Sequence, residues 1–335
     1  MITFGNLDLN EKTEELVLRA IREKKIGQSE YIEVFEQKFA DFLGVKYAVA
    51  VCNGTMADTI ALAVLKSFYP NKREVLVPAL TFVAQVNSIM YNNLIPVFYD
   101  IDRLPEPNSE TLCVFPVHLL GEPETIVTEG VPVIEDACEA LGSKIDGKFC
   151  GTIGDMGTFS FFPSHAISTG EGGMIVTNNE DYAKKARQLR NHAKVTGDDF
   201  KFDEIGFNGK MTSLQAMVGI SLMHELPEIL KRRHDNFVYM GGEEMPGQYI
   251  VPHGLPAYFE NRDEKMKELK AKGVDCRRIF SSIPTQEKAY AFMGHKLGDF
   301  PAAEAVGDRG LYVPCHQNLT KDEMDYIKQC LESDS

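Results

Sequence analysis

The chain contains no uninterrupted apolar run near the roughly 18 residues that span a bilayer, and its first residues, MITFGNLDLNEK, lack a basic segment followed by an apolar one. Neither a membrane span nor a signal peptide is expected, and the expected location is cytoplasmic. Positive charge is scarce: 35 Lys and Arg face 49 Asp and Glu, a formal net charge of -14. Such a field opposes nucleic acid or an anionic membrane as the main partner, although a local group of arginines or amides can still hold an anionic small molecule. The seven cysteines (Cys52, Cys113, Cys138, Cys150, Cys276, Cys315 and Cys330) are odd in number and scattered, with no CxxC pair. That pattern fits reduced, mostly buried thiols rather than a disulfide framework, and no metal site is expected. Internal repeats are absent, and the only low-complexity segment is the polar tail at 332–335.

What is present is ordinary globular material. With 335 residues, 44% hydrophobic and 25% charged, the chain can bury a full core and form two lobes. Its first half alternates short β-rich runs with helical patterns, the sign of βαβ units around a largely parallel sheet. Amphipathic stretches at 11–25 and 31–43 read as outer helices, the second with Phe35, Phe39 and Phe42 at helical spacing. Strands are expected at 47–51, 74–77, 95–99, 112–117, 131–135, 157–162 and 174–177, and a helix at 56–68. After Asn191 come a polar loop (194–207), one long helical region (212–239) and shorter elements including a helix at 262–272. The expected division is a large domain, 1–225, and a small C-terminal α+β domain, 226–335.

Five segments carry candidate chemistry. Asn53-Gly54-Thr55 lies between a strand and a helix, where a close backbone approach, unpaired N–H groups and a hydroxyl together make a phosphate cup. The run VPVIEDACEALGS (131–143) puts Asp136 at the C-terminal edge of a buried strand, where ligands of open α/β sheets collect. In PALTFVAQVN (78–87), Phe82 follows a strand and can lie flat on a heterocycle. The run FSFFPSHAISTGEGG (159–173) offers the Ser160 hydroxyl, His165 and the permissive Gly170, Gly172 and Gly173. The fifth is GFNGKMTSLQA (206–216). Taken singly, each also reads as a tight turn, a helix cap or core.

In order and context, these motifs resemble the DegT/DnrJ/StrS sugar aminotransferases from about residue 27 to 224. The resemblance implies an α/β architecture of fold type I: a large, mostly parallel mixed sheet plus a small domain, a pyridoxal phosphate (PLP) or pyridoxamine phosphate (PMP) cofactor, and a homodimer with shared active sites. By motif position it assigns Gly54, Thr55 and Ser160 to the cofactor phosphate, Phe82 to the ring face and Asp136 to the ring nitrogen. Glu139 joins the cofactor set, and Asn208 would reach the phosphate in the neighbouring subunit.

In that family a lysine follows the Pro-Ser or Pro-Thr of the loop and binds the cofactor covalently. Here the position is His165. An imidazole cannot make that link but can move protons near neutral pH. The same replacement marks the 3-dehydratases of 3,6-dideoxysugar pathways, so the resemblance implies loss of the C3 hydroxyl from a nucleotide-diphosphate 4-keto-6-deoxy sugar, with glutamate recharging the cofactor. Glu139 and Gln85-Val86-Asn87 lean the same way. Because 190–207 holds no cysteine, no iron-sulfur cluster is expected. Two features depart from those dehydratases: Ala166 stands where they carry a second histidine, and the region after Gly241 is short. The alternatives are a nucleotide-sugar 4-aminotransferase whose lysine has been replaced and a non-catalytic cofactor- or sugar-binding homologue. Arg277, Arg278 and His316 are candidates for diphosphate or sugar contacts.

Overall fold

The computed structural model describes residues 1–335 except 6–8, 125–129, 196, 198, 199 and 333–335. Most of the polar tail and part of the 194–207 loop therefore lie outside the described residues.

Two outer helices open the chain, α1 (Glu11–Arg22) and α2 (Glu30–Leu43), capped by Asn10 and Ser29 respectively. Then β1 (Tyr47–Val51) leads into α3 (Gly54–Phe68), followed by β2 (Glu74–Pro78), α4 (Val83–Tyr91), β3 (Ile95–Tyr99), β4 (Thr111–Val114) and β5 (Ile134–Asp136). A short hairpin, β6 (Lys144–Ile145) and β7 (Lys148–Phe149), precedes β8 (Met156–Ser160), β9 (Gly173–Thr177) and α5 (Glu180–Leu189). Strands β3-β2-β4 form one group and β1-β9-β8-β5 another. Parallel bridges Val114–Val133 and Val117–Asp136 join the two side by side. Within this large sheet β9 alone runs against its neighbours. The large mixed, mostly parallel sheet expected from the sequence is thus present.

The aromatic spacing in α2 explains its seat. Phe35 and Phe39 are fully buried and meet Phe161 at 5.3 and 5.4 Å between centroids. Burying each ring contributes about 1.5–3 kcal/mol. That cluster anchors the strand end from which the His165 loop departs.

The long helical region expected at 212–239 is two helices, α6 (Ser213–Leu222) and α7 (Leu226–Tyr239). Pro227 in the first turn of α7 has no N–H with which to continue a helix, so the chain breaks and restarts there. Helix α4 is a further difference, since only a strand followed by Phe82 was read in 78–87. Beyond α7 come β10 (Gln248–Tyr249), β11 (Leu255–Tyr258), α8 (Arg262–Ala271), β12 (Arg277–Arg278), α9 (Ile283–Gln286), α10 (Pro301–Arg309), β13 (Gly310–Val313) and α11 (Lys321–Glu332). An antiparallel sheet in the order β11-β13-β12 packs through Leu311 and Val313 with Leu269 of α8 and Ile327 of α11. Ile2 bridges to Val274, so the first residues of the chain lie with this C-terminal body. Among the described residues no helix is long and apolar enough to cross a membrane.

Candidate active site

A cavity of about 450 Å³ opens at the C-terminal edge of the large sheet, under the C-terminal body. Gly54, Thr55, Phe82, Asp136, Glu139, Ser160 and His165 all line it, although they come from separate parts of the sequence.

The N-terminus of α3 supplies one wall. Asn53 caps it, its side-chain oxygen accepting the Met56 N–H at 2.8 Å, while the amides of the first turn point out of the helix. A Cβ on Gly54 would come within 2.9 Å of Ser160 Cβ and 3.2 Å of Cys138 Sγ. Only glycine lets the helix start reach the end of β8, where the Ser160 hydroxyl converges with Thr55. Amides, a helix dipole and two hydroxyls fit a phosphate.

Asp136 ends β5 on the cavity floor, one carboxylate oxygen held by the Cys138 N–H at 3.1 Å. Burial pushes its pKa up, and the Cys138 contacts draw it back. Among the described residues no cation forms an ion pair with it, so a cationic ring nitrogen is the partner its chemistry suits. Behind it lies Asp58, one helical turn beyond Gly54, accepting the Thr158 hydroxyl at 2.7 Å. Burial and the nearby Asp136 raise Asp58 well above its ordinary value, against the Thr158 hydroxyl. Half-exposed Phe82 lies at the mouth, its ring 5.2 Å from that of Phe280 and tilted by 37°.

His165 follows a loop gathered onto the end of β8. Its N–H donates to the Phe162 carbonyl at 3.0 Å, and Thr169 N–H and Ser168 Oγ both donate to the Phe161 carbonyl. Gly170, at φ +82°, turns the chain back towards β9. The ring has burial on one side and the Arg233 guanidinium nearby, and these lower its pKa to about 3. It is therefore neutral, the form that accepts a proton. Its Nδ1 is buried without a hydrogen-bond partner among the described residues. A buried ring nitrogen without a partner, in a side chain that lines the cavity, fits a group that meets its partner when a ligand is bound.

Other expected residues stand elsewhere. Asn208 is exposed and outside this cavity, its backbone bridged to Asn191. Of the two arginines, Arg277 lines the cavity, whereas Arg278 is ion-paired to Asp263 at 2.8 Å on the surface. His316 hydrogen-bonds the Thr3 carbonyl at 3.0 Å. Gln85 is buried and donates to the carbonyls of Phe115 and Pro116, and Asn87 accepts the Tyr290 hydroxyl at 2.8 Å. Both side chains are therefore held by the fold and not by the cavity. In the 206–216 segment, Thr212 and Gln215 form a capping box, and Gln215 also donates to the Glu171 carbonyl at 2.6 Å. Asp58, Glu171, His253 and Tyr312 line the cavity without having been expected. Asp58 had a legible signal in its i+4 position on the helix that bears Gly54. His253 had none.

Residues 7–332 match the model of the DegT/DnrJ/EryC1/StrS aminotransferase family. The chain belongs to that family. The GDP-perosamine synthase of Caulobacter vibrioides is 33% identical over 336 residues, covering 90% of this chain and 89% of that protein. The GDP-4-keto-6-deoxy-D-mannose 3-dehydratase of Yersinia pseudotuberculosis is 28% identical over 365 residues, covering 92% of each. A putative sugar aminotransferase of Streptococcus pneumoniae in its PLP form overlays with a TM-score of 0.88 at 22% identity, covering 99% of this chain and 97% of that one. The same protein is known in a PMP form. The family fold and the PLP/PMP dependence expected from the sequence are thereby in place. Identity is higher to the perosamine synthase than to the dehydratase, and on that measure the aminotransferase alternative is the better supported.

Proposed function

We propose that this protein removes the C3 hydroxyl of a nucleotide-linked 4-keto-6-deoxy sugar, using PMP that glutamate regenerates. The observation that carries the reading is His165, a neutral, partly orphaned imidazole in an otherwise intact cofactor pocket. When bound, the cofactor supplies an electron sink next to the reacting sugar carbons.

The protein's own groups divide the remaining work. Gly54, Thr55 and Ser160 hold the phosphate, Phe82 covers a ring face, and Asp136 keeps the ring nitrogen protonated. His165 takes the proton whose departure starts the elimination, and it cannot compete for the cofactor's aldehyde as an amine would. Arg277 is placed to meet the anionic part of the nucleotide sugar. Asn208, outside the cavity of its own chain, suits a homodimer in which it reaches the neighbouring pocket. Residues 1–225 and 226–335 would form the cofactor-binding and smaller domains.

A second reading, a 4-aminotransferase acting on the same class of sugar, draws on the greater identity to the perosamine synthase. The two readings separate on product. With PLP, glutamate and GDP-4-keto-6-deoxymannose, the dehydratase releases ammonia and a 3-deoxy-4-keto sugar. A 4-amino sugar as the product would refute it in favour of the second reading.

A further inference from the structure

His253 sits in the chain between β10 and β11 and is almost fully buried. Its ring faces that of His165 at 4.9 Å between centroids, tilted by 51°, and both rings line the same cavity. On its other side, His253 Nε2 lies 3.7 Å from a carboxylate oxygen of Glu139. A 3.7 Å separation is within reach of a proton transfer once a small adjustment or a bridging water shortens the path.

Two backbone devices hold this arrangement. The Leu120 N–H donates to the second oxygen of Glu139 at 2.8 Å, and the Leu120 carbonyl accepts the His253 N–H at 3.0 Å. One residue therefore grips both partners. Leu120 does so at φ +53°, a left-handed conformation that a leucine adopts only under constraint. Next to it, a Cβ on Gly121 would meet the Val251 carbonyl oxygen at 2.2 Å, so the turn can approach the His253 segment only through glycine. The second device is Arg233, which donates to the Pro252 carbonyl at 3.0 Å and the His165 carbonyl at 3.4 Å. One buried guanidinium thus registers the two histidine-bearing segments against each other.

We propose that Glu139 and His253 form a proton relay that enters the pocket beside His165 and delivers the proton with which the sugar's C3 oxygen leaves. The inference rests on the dehydratase reading given above. In this step the C3–O bond breaks with its electron pair on oxygen, and one ring nitrogen of His253 gives that oxygen a proton. Water departs. The other ring nitrogen takes the Glu139 proton, so the imidazole stays neutral throughout and the carboxyl becomes carboxylate. The electron pair left where His165 takes its proton replaces the pair lost at C3.

The charges facing His253 suit this role. His165, Arg233 and Arg277 together with burial hold it neutral, burial being the largest effect. Tyr312 packs at 5.9 Å on a further side. Glu139 is raised to about 7, by burial first and by Asp136, against the Leu120 N–H and Arg277. It therefore holds a transferable proton near neutral pH, while His253 is kept from trapping one. Glu139 acts through His253 and is a positioning and proton-supplying residue, not one that meets the sugar.

Two measurements test the relay. Infrared difference spectra of the protein without cofactor or sugar should show a protonated carboxyl band that titrates near pH 7 and vanishes in Glu139→Gln. The lack of any band removed by Glu139→Gln would mean that Glu139 holds no proton to deliver and overturns the relay. With PMP and GDP-4-keto-6-deoxymannose, His253→Gln and His253→Asn, each checked for an unchanged melting temperature, should exchange the cofactor's methylene hydrogen with solvent deuterium at the wild-type rate. Their release of 3-deoxy sugar should fall on the order of 10²-fold. A parallel loss of exchange and product, or no loss of product, rejects the relay. Exchange that survives in His165→Asn instead rejects the underlying assignment of His165, an outcome distinct from failure of the relay.

Discussion

His118 Nε2 lies 2.9 Å from a carboxylate oxygen of Glu135, and both side chains are almost wholly buried. The other ring nitrogen of His118 accepts the Glu124 N–H at 3.0 Å, which leaves Nε2 to donate to Glu135. Glu135 also accepts the N–H groups of Gly151, Ile153 and Gly154 at 2.6 to 2.8 Å. One carboxylate thereby ties the turn before β8 to the segment after β4, directly beside Asp136.

Glu135→Gln should therefore destabilise the protein by about 3 kcal/mol at neutral pH, since several donors lose an ionised acceptor in a dry site. Burial alone would raise the Glu135 pKa, but His118 and the loop amides outweigh it and hold it below the ordinary 4.5. A depressed folded value means that the stabilisation is complete above about 4.5 and disappears as pH falls through the folded value. Melting curves of wild type and variant should accordingly be well separated at pH 7 and converge in acid. A constant gap across that range would contradict an ionised Glu135.

His165→Lys restores an amine next to the phosphate cup. Borohydride treatment with PLP should then add the reduced cofactor's mass to the variant and leave the wild-type polypeptide unchanged. An adduct on wild type would show that another lysine serves the site. Loss of adduct in the variant would mean that the cup does not bring the aldehyde to this position.

Asp136→Asn removes the one charge that suits the ring nitrogen. Cofactor should still bind, while turnover falls on the order of 10²-fold because an unprotonated ring is a weaker electron sink. Turnover close to wild type with cofactor bound would remove Asp136 from that role.

For Gly54→Ala the expected defect is in binding. The added methyl meets Ser160 and Cys138 at 2.9 and 3.2 Å, so α3 must back away from the end of β8. Equilibrium dialysis should show PLP affinity at least tenfold weaker, with a stability loss of about 1–3 kcal/mol from overpacking. Unchanged affinity would mean that the phosphate lies elsewhere.

Much of the architecture was legible because its signals are local. The spacing of Phe35 and Phe39 marks the buried face of α2, and Asn53-Gly54-Thr55 reads as a strand end, a cap and a helix start within a few residues. What stayed hidden depends on contacts made at long range. Nothing around Pro252-His253-Gly254 indicates that this loop folds back against Glu139 and His165, because the register is set by Leu120 and Arg233, far away in sequence. Gln85 and Asn87 show the same limit, since only their buried carbonyl and tyrosine partners reveal that these polar residues brace the fold. The helix break at Pro227 was readable in principle, but the apolar periodicity runs through it.

Helix α7 carries Arg233 between two cores, with Leu230 against the large sheet's cluster and Phe237 within the C-terminal one. Parting these two cores would strand a buried cation from two carbonyls and from Gln317, so cooling or dilute denaturant should find them opening together. Phe82 and Phe280, two lining rings 5.2 Å apart, would then gauge the size of what enters and leaves in place of a hinge.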